Sequence, residues 1–256
     1  MKNKIIQELK RIEKQENIRI LYAVESGSRA WGFPSTDSDY DVRFIYTRPK
    51  SWYLQLQKTR DTLEYPISEL LDISGWDLDK SLLLLQKSNP SLIEWLASPI
   101  VYYKDSLFHT ELLELMKASI QSKGLIYHYL HMAKGNYRDY LQGETVKIKK
   151  YFYVLRPLLA CRWIEAHQTA PPVLFQELLQ QEGLSAELVQ QIERLLIKKR
   201  AGNELGLEPQ IKEINQFIVE QLNYFSESVN FLTGSNYLTN TQMNQFFLQW
   251  YGTDSS

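Results

Sequence analysis

Two carboxylates, Asp39 and Asp41, stand one residue apart, and Asp39 lies eleven residues after the Gly27-Ser28 pair. In a β-strand, residues i and i+2 point to the same face. Both acids would then sit about 6–7 Å apart at the backbone. Carboxylates at that separation can share two hard cations. Magnesium suits such a site, because it takes oxygen ligands and leaves room for substrate phosphates. At the other end, Gly27 lets the backbone approach a ligand closely. A helix opening there directs N–H groups at an anion, with the Ser28 hydroxyl and the Arg29 charge beside them. Arg43 shares the face of Asp39 and Asp41 and can hold an acid in place or touch a phosphate. Taken singly, Gly-Ser reads equally as a helix cap, and Asp-x-Asp as a solvated strand face. At this spacing the two pairs point to nucleotidyl transfer.

A third acid would help orient an attacking hydroxyl. Asp72 stands between Leu71 and Ile73, an acid inside an apolar strand, and is the favoured candidate. Asp77 competes but reads as the N-cap of a helix beginning at Leu78, and Glu64 is a further option. In a helix over 146–167, Lys149, Tyr153 and Arg156 fall on one face at i, i+4 and i+7. Such a stripe can grip a triphosphate, stack a base or follow an RNA backbone, or it can be a solvated face with a packing tyrosine. Pro157 should kink that helix and release the Tyr153 carbonyl. His128 and His131, three apart without a further ligand at metal spacing, read as structural.

The elements that must position these residues follow from periodicity. A helix is expected over 2–16, strands over 18–24 and 40–46, and a short helix from Ser28 ended by Gly32 and Pro34. Weaker strands over 61–65 and 69–73 can pair across Pro66. A helix follows Asp77, and Ser91 with Glu94 has capping-box spacing for the next. Beyond about residue 105 the pattern is almost wholly helical: 106–121, 124–141, 146–167, 173–181, 185–200 and 209–232. Ser185 is an expected N-cap and Pro209 an expected first-turn residue. Residues 200–208 read as a loop, and the order of the last twenty is left open. The architecture is α+β: a small mixed sheet flanked by helices, then an all-helical part. The boundary falls near 100–105.

Composition is that of a water-soluble globular chain, with 256 residues, 44% hydrophobic and 23% charged. No apolar run is long enough to span a membrane, and the N-terminus lacks a signal-peptide core. The single cysteine, Cys161, cannot form an internal disulfide. These features lead us to expect a cytoplasmic protein. A net charge of −1 does not advertise nucleic-acid binding, yet Lys147, Lys149, Lys150, Arg156 and Arg162 crowd into one short stretch.

These residues resemble the polymerase-β-type nucleotidyltransferase superfamily. Its pattern is an apolar residue, Gly-Ser, a gap, Asp-x-Asp in a strand and a third acid on a later strand; Gly27-Ser28, Asp39, Asp41 and Asp72 fit it in turn. A closer similarity is to the RNA-repair-associated, YcgL-like group of predicted nucleotidyltransferases. It is carried by residues 25–33, 37–46, 73–78, 88–102 and 149–160. The resemblance implies a catalytic domain over 1–104 and a helical substrate-binding domain over 105–256. It implies transfer of a nucleoside monophosphate from an NTP to an acceptor hydroxyl, with release of pyrophosphate. Two Mg²⁺ ions, or Mn²⁺ in their place, would be held by Asp39, Asp41 and Asp72. Gly27, Ser28, Arg29, Arg43, Lys149, Tyr153 and Arg156 would contact the nucleotide. An RNA 3′ end is the preferred acceptor. A protein or small-molecule acceptor is the alternative, as is a non-catalytic nucleotide- or RNA-binding partner of antitoxin type.

Overall fold

The computed structural model describes residues 1–57, 60–66, 70–202, 206–229 and 238–251. The described residues pack into two compact units. The first takes residues 1–30, 39–119 and 238–251, and the second takes 31–38 and 120–229.

The first unit runs α1 (Lys2–Glu16), β1 (Arg19–Glu25), α2 (Gly27–Ala30), β2 (Tyr40–Thr47), α3 (Lys50–Tyr53), β3 (Thr62–Glu64), β4 (Leu71–Asp77), α4 (Leu78–Gln86), α5 (Pro90–Leu96), β5 (Val101–Lys104) and α6 (Ser106–Ser119). The second holds α7 (Ser122–Tyr140), β6 (Thr145–Lys147), α8 (Ile148–His167), α9 (Phe175–Leu178), α10 (Ala186–Arg200), β7 (Leu207–Pro209) and α11 (Lys212–Ser228). A last helix, α12 (Asn240–Trp250), belongs to the first unit. The chain is α+β, as its sequence implies. The first unit continues through α6, past the boundary near 100–105 that the sequence suggests.

The sheet of the first unit has the order β3-β4-β2-β1-β5. β2 and β4 are parallel, and the other pairings are antiparallel. α1 covers one face because Ile5, Leu9 and Ile12 recur at helical spacing. They bury against Ile20, Ala23, Val42, Phe44 and Ile73. Alternation along β2 sends Val42 and Phe44 into that core and leaves Asp41 and Arg43 on the opposite face. At Gly75 a side chain is excluded: a Cβ there would meet the Phe44 ring at 2.2 Å. The strand takes glycine so that the ring can lie flat on its backbone.

Several local readings change. α5 is capped by Asn89, whose side chain accepts from the Leu92 N–H at 3.2 Å, with Pro90 in the first turn. The Ser91–Glu94 capping box does not form, because the Asx cap two residues earlier already meets that need. Pro209 sits in β7 and not in a helix; Thr145–Lys147 and Leu207–Pro209 pair as a small antiparallel ribbon. Three-residue strands this far apart carry no periodicity for a sequence to display. The helix expected over 209–232 begins at Lys212, and residues 230–232 lie outside the described residues. So do residue 69 of the expected 69–73 strand, residues 203–205 of the expected loop, and residues 236–237 and 252–256 of the chain end. α8 continues through Pro157 as one helix. Among the described residues no helix is long and apolar enough to cross a membrane.

Asp77 is the expected N-cap of α4: its side chain accepts from the Asp79 N–H. It is almost fully buried. Tyr53 donates its hydroxyl to Asp77 Oδ1 at 2.7 Å, and Arg48 Nε stands 3.8 Å from Oδ2. Burial dominates and pushes the carboxyl up to about 7. An acid whose folded pKa is raised binds more protons folded than unfolded. Its contribution to stability is therefore present at low pH and is lost as pH rises from about 4 towards 7. Asn also caps well and does not titrate. Between pH 5 and pH 8 the wild-type melting temperature should fall more than that of Asp77→Asn, measured by circular dichroism; parallel curves would remove Asp77 as the cause.

Candidate active site

The parallel pairing of β2 with β4 sets Asp41 directly opposite Asp72, and Arg43 opposite Ser74. Both carboxylates lie on the face that Arg43 shares. The Arg43 guanidinium spans them, with one terminal nitrogen 3.1 Å from Asp41 Oδ1 and 2.7 Å from Asp72 Oδ2. Its other terminal nitrogen donates to the Val42 and Asp72 carbonyls. Asp41 is half-buried, and that burial raises its pKa; Arg43 pulls the other way, while Asp72 and Asp39 add to the rise. Asp39 precedes β2 and is exposed. Its carbonyl accepts from Arg29 Nε at 3.0 Å, and the Arg29 guanidinium covers the Tyr40 ring at 3.7 Å. Glu64 is on the outer strand β3, exposed and paired with Arg60. Asp77 caps α4 at the far end of β4.

The Gly-Ser end meets the acid end. Ser26 N–H donates to the Asp41 carbonyl at 2.8 Å. Gly27 has φ +59°, and a Cβ on it would come within 2.1 Å of Asp41 Oδ2. Only glycine satisfies both demands. α2 has four residues, with Ser28 second, so it offers a single turn rather than a long helix dipole.

Glu25 was not among the residues singled out from the sequence as site residues. It closes β1, is fully buried, and accepts the Asp41 N–H at 2.8 Å on Oε1. Tyr102 donates its hydroxyl to Glu25 Oε2. Ser98 Oγ donates to the Glu25 carbonyl at 2.6 Å. Burial lifts the Glu25 carboxyl above its ordinary value, and the Tyr102 and Asp41 donors counter part of that rise. An acid ending the apolar run Ile-Leu-Tyr-Ala-Val is the sequence signal that marks it.

Lys149, Tyr153 and Arg156 all belong to the second unit, but they do not form one exposed stripe. Tyr153 is exposed and Lys149 half-buried, whereas Arg156 is 2% exposed. Arg156 lies over the Trp31 ring at 4.7 Å and donates towards the Val173 carbonyl. Phe33 is itself core to this unit, packing on Phe152 at 4.9 Å and on Phe175 at 5.2 Å. The residues between α2 and β2 thus serve the helical unit.

All the donors at Asp39, Asp41 and Asp72 are carboxylate oxygens, which suits a hard divalent cation. Among the described residues no three His, Cys, Asp or Glu side chains are gathered into a ready metal cluster. The cation between Asp41 and Asp72 is Arg43.

Residues 1–249 match the sequence profile of RlaP, the RNA repair pathway DNA polymerase beta family. The chain belongs to that family. It is 50% identical over 248 residues to the Bacillus subtilis (strain 168) protein called "Uncharacterized protein YcgL", across 97% of this chain and 95% of that one. A crystal structure of a nucleotidyltransferase-like protein from Exiguobacterium sibiricum 255-15 aligns over 88% of this chain and 79% of that chain. Its identity is 12% and its TM-score 0.30. Family membership makes this a polymerase-β-type nucleotidyltransferase family member linked to RNA repair.

Two outcomes follow from the geometry. Gly27→Ala forces a left-handed backbone on a residue with a Cβ and drives that Cβ into Asp41. A loss of about 1–3 kcal/mol is expected in urea unfolding; a midpoint equal to wild type would show that the close approach does not exist. Arg43→Met leaves Asp41 and Asp72 facing each other without their shared cation, at a cost of about 1–3 kcal/mol. Added magnesium should then raise the melting temperature of Arg43→Met more than that of wild type. Equal magnesium responses would mean that the two acids do not present a cation site.

Proposed function

We propose that this chain is a magnesium-dependent nucleotidyltransferase that moves an NMP from an NTP to the 3′ hydroxyl of an RNA. The observation that carries the reading is the direct cross-strand register of Asp41 with Asp72, with Gly27 in contact with Asp41, in a chain of this family. In this reading the acceptor hydroxyl attacks the α-phosphate, its proton leaves to solvent or a carboxylate, and pyrophosphate departs. Catalysis of this kind is positioning plus charge neutralisation. Mg²⁺, or Mn²⁺ in its place, would be held by Asp39, Asp41 and Asp72, and when bound it supplies neutralisation of phosphate charge.

The protein's own groups do the rest. Asp72 orients the acceptor hydroxyl and can take up its proton, and Asp41 fixes the reacting centre. Ser28 and the backbone at Gly27 take a β- or γ-phosphate oxygen. Arg29 and Arg43 are cations beside that place. Arg43 is spent on the two acids, so it must give up one carboxylate contact as nucleotide and metal arrive. Lys149 and Tyr153 are kept as nucleotide or RNA contacts in the helical unit. Arg156, buried against Trp31, is assigned to holding that unit together.

The test is pyrophosphate release with each NTP and a pool of cellular RNA, with and without magnesium. The double variant Asp39→Ala/Asp41→Ala should lose at least about 100-fold in rate, since several kcal/mol of charge stabilisation is removed. Identical background release by wild type and variant, with every acceptor, would sink the enzyme reading. Transfer to protein or small molecule but never to RNA would keep the chemistry and replace the acceptor.

A further inference from the structure

The chain's net charge is −1, yet the segment from α7 through α8, residues 122–167, holds eight Lys and Arg against three Asp and Glu. α7 and α8 pack as an antiparallel hairpin: Cys161, near the end of α8, donates to the Ile126 carbonyl near the start of α7. Lys150, near the start of α8, sits 3.5 Å above the ring of Tyr140, the last residue of α7. The apolar side of α7, including Leu125, Ile126, Tyr129 and Ala133, is buried.

The outward side of α7 has a definite make-up. Lys123, Tyr127, His131, Lys134 and Arg138 follow one another at helical spacing, and all five are exposed. No carboxylate interrupts them. The one acid of the helix, Asp139, is bound by Arg138 Nε at 2.8 Å. Tyr127 is 53% exposed and its ring lies 4.4 Å from that of His131. At the base of the hairpin Lys150 stands between two further exposed rings, 3.5 Å from Tyr140 and 5.3 Å from Tyr153.

We propose that this outward face of α7 is a docking surface for single-stranded RNA. It rests on, and deepens, the reading of RNA as the acceptor. Lysine and arginine spaced along a helix match phosphates spaced along a strand. Exposed rings between the cations offer faces on which unpaired bases stack, a contact every base can make. A duplex hides its base faces and would use only the charges. An acidic protein could meet the charges but brings no regular series of flat faces to stack on the rings, so single-stranded RNA fits both halves of the pattern.

The experiment is fluorescence anisotropy of the full chain with a labelled oligoadenylate of about 12 nucleotides, without NTP, over a salt series. Heparin, an anion without bases, competes as the control. Lys134→Ala/Arg138→Ala should weaken both ligands and lower the slope of log K against log salt by about 1.4 for RNA, two phosphate contacts' worth. Tyr127→Ala/His131→Ala should weaken the oligonucleotide about tenfold, keep its salt slope, and leave heparin unchanged. Melting temperatures check that both variants are folded. RNA affinity untouched by Tyr127→Ala/His131→Ala, or lost equally for heparin, would overturn the proposal. So would crosslinks from 4-thiouridine RNA that fall outside residues 122–153. A parallel transfer assay separates this from the enzymatic reading. RNA binding here without any NMP transfer removes the transferase and keeps the surface. Transfer to RNA with KM unchanged in both variants does the reverse.

Discussion

The alignment of two acids across a parallel strand pair is the constraint on which the first unit depends. Like charges directly opposite one another destabilise a sheet, and Asp41 is partly withdrawn from water besides. A fold that keeps Asp41 against Asp72 must bring a cation to them, and Arg43 does so from the same face of β2. Arg43 can do this because β2 alternates: the residues that follow each charged one, Val42 and Phe44, anchor the strand in the core under α1. The backbone around Asp41 is held independently, by Glu25 on its N–H and by Ser26 on its carbonyl. The main chain at Asp41 is therefore fixed by bonds separate from the ion pair that its carboxylate makes with Arg43.

Gly27 shows why the two parts of the motif are inseparable. As a sequence feature, Gly-Ser reads as a generic turn into a helix. In the folded chain Gly27 is both left-handed and in contact with Asp41 Oδ2, so it has two reasons to lack a side chain. The chain between these parts, residues 31–38, packs in the helical unit, with Phe33 among Phe152 and Phe175. The gap in the motif is structural material for the other unit, not slack in a loop.

Much of the first unit was legible because strong periodicity and its punctuation agree there. α1, β1, β2 and the Asp77 cap of α4 all follow from apolar spacing and short polar side chains. Asp72 could be picked out because an acid between apolar neighbours in a strand is costly unless it has a partner. Glu25 obeyed the same rule but closed its strand, where an acid looks like the beginning of a turn. Its partners, Tyr102 and the Asp41 N–H, lie far away in sequence and close only through the β5-β1-β2 order. The β6–β7 ribbon was invisible for a related reason, since its pairing is long-range and its strands are too short to show alternation.

The helical unit shows where periodicity misleads. Lys149, Tyr153 and Arg156 do project to one side of α8, as their spacing requires. Burial, however, also varies along a helix axis. α8 is buried without a break from Val154 to Cys161, so from its N-terminal end solvent reaches that side at Lys149 and Tyr153 and stops there. Arg156 lies beyond that limit, and its guanidinium is turned to the Trp31 ring and a backbone carbonyl instead of a phosphate. A cation in that position organises a core, at a desolvation cost that aromatic and carbonyl contacts offset. α7 keeps its polar side in water through most of its length. Two helices of similar composition thus do different work, and depth within the unit, which one sequence window does not encode, decides which is which.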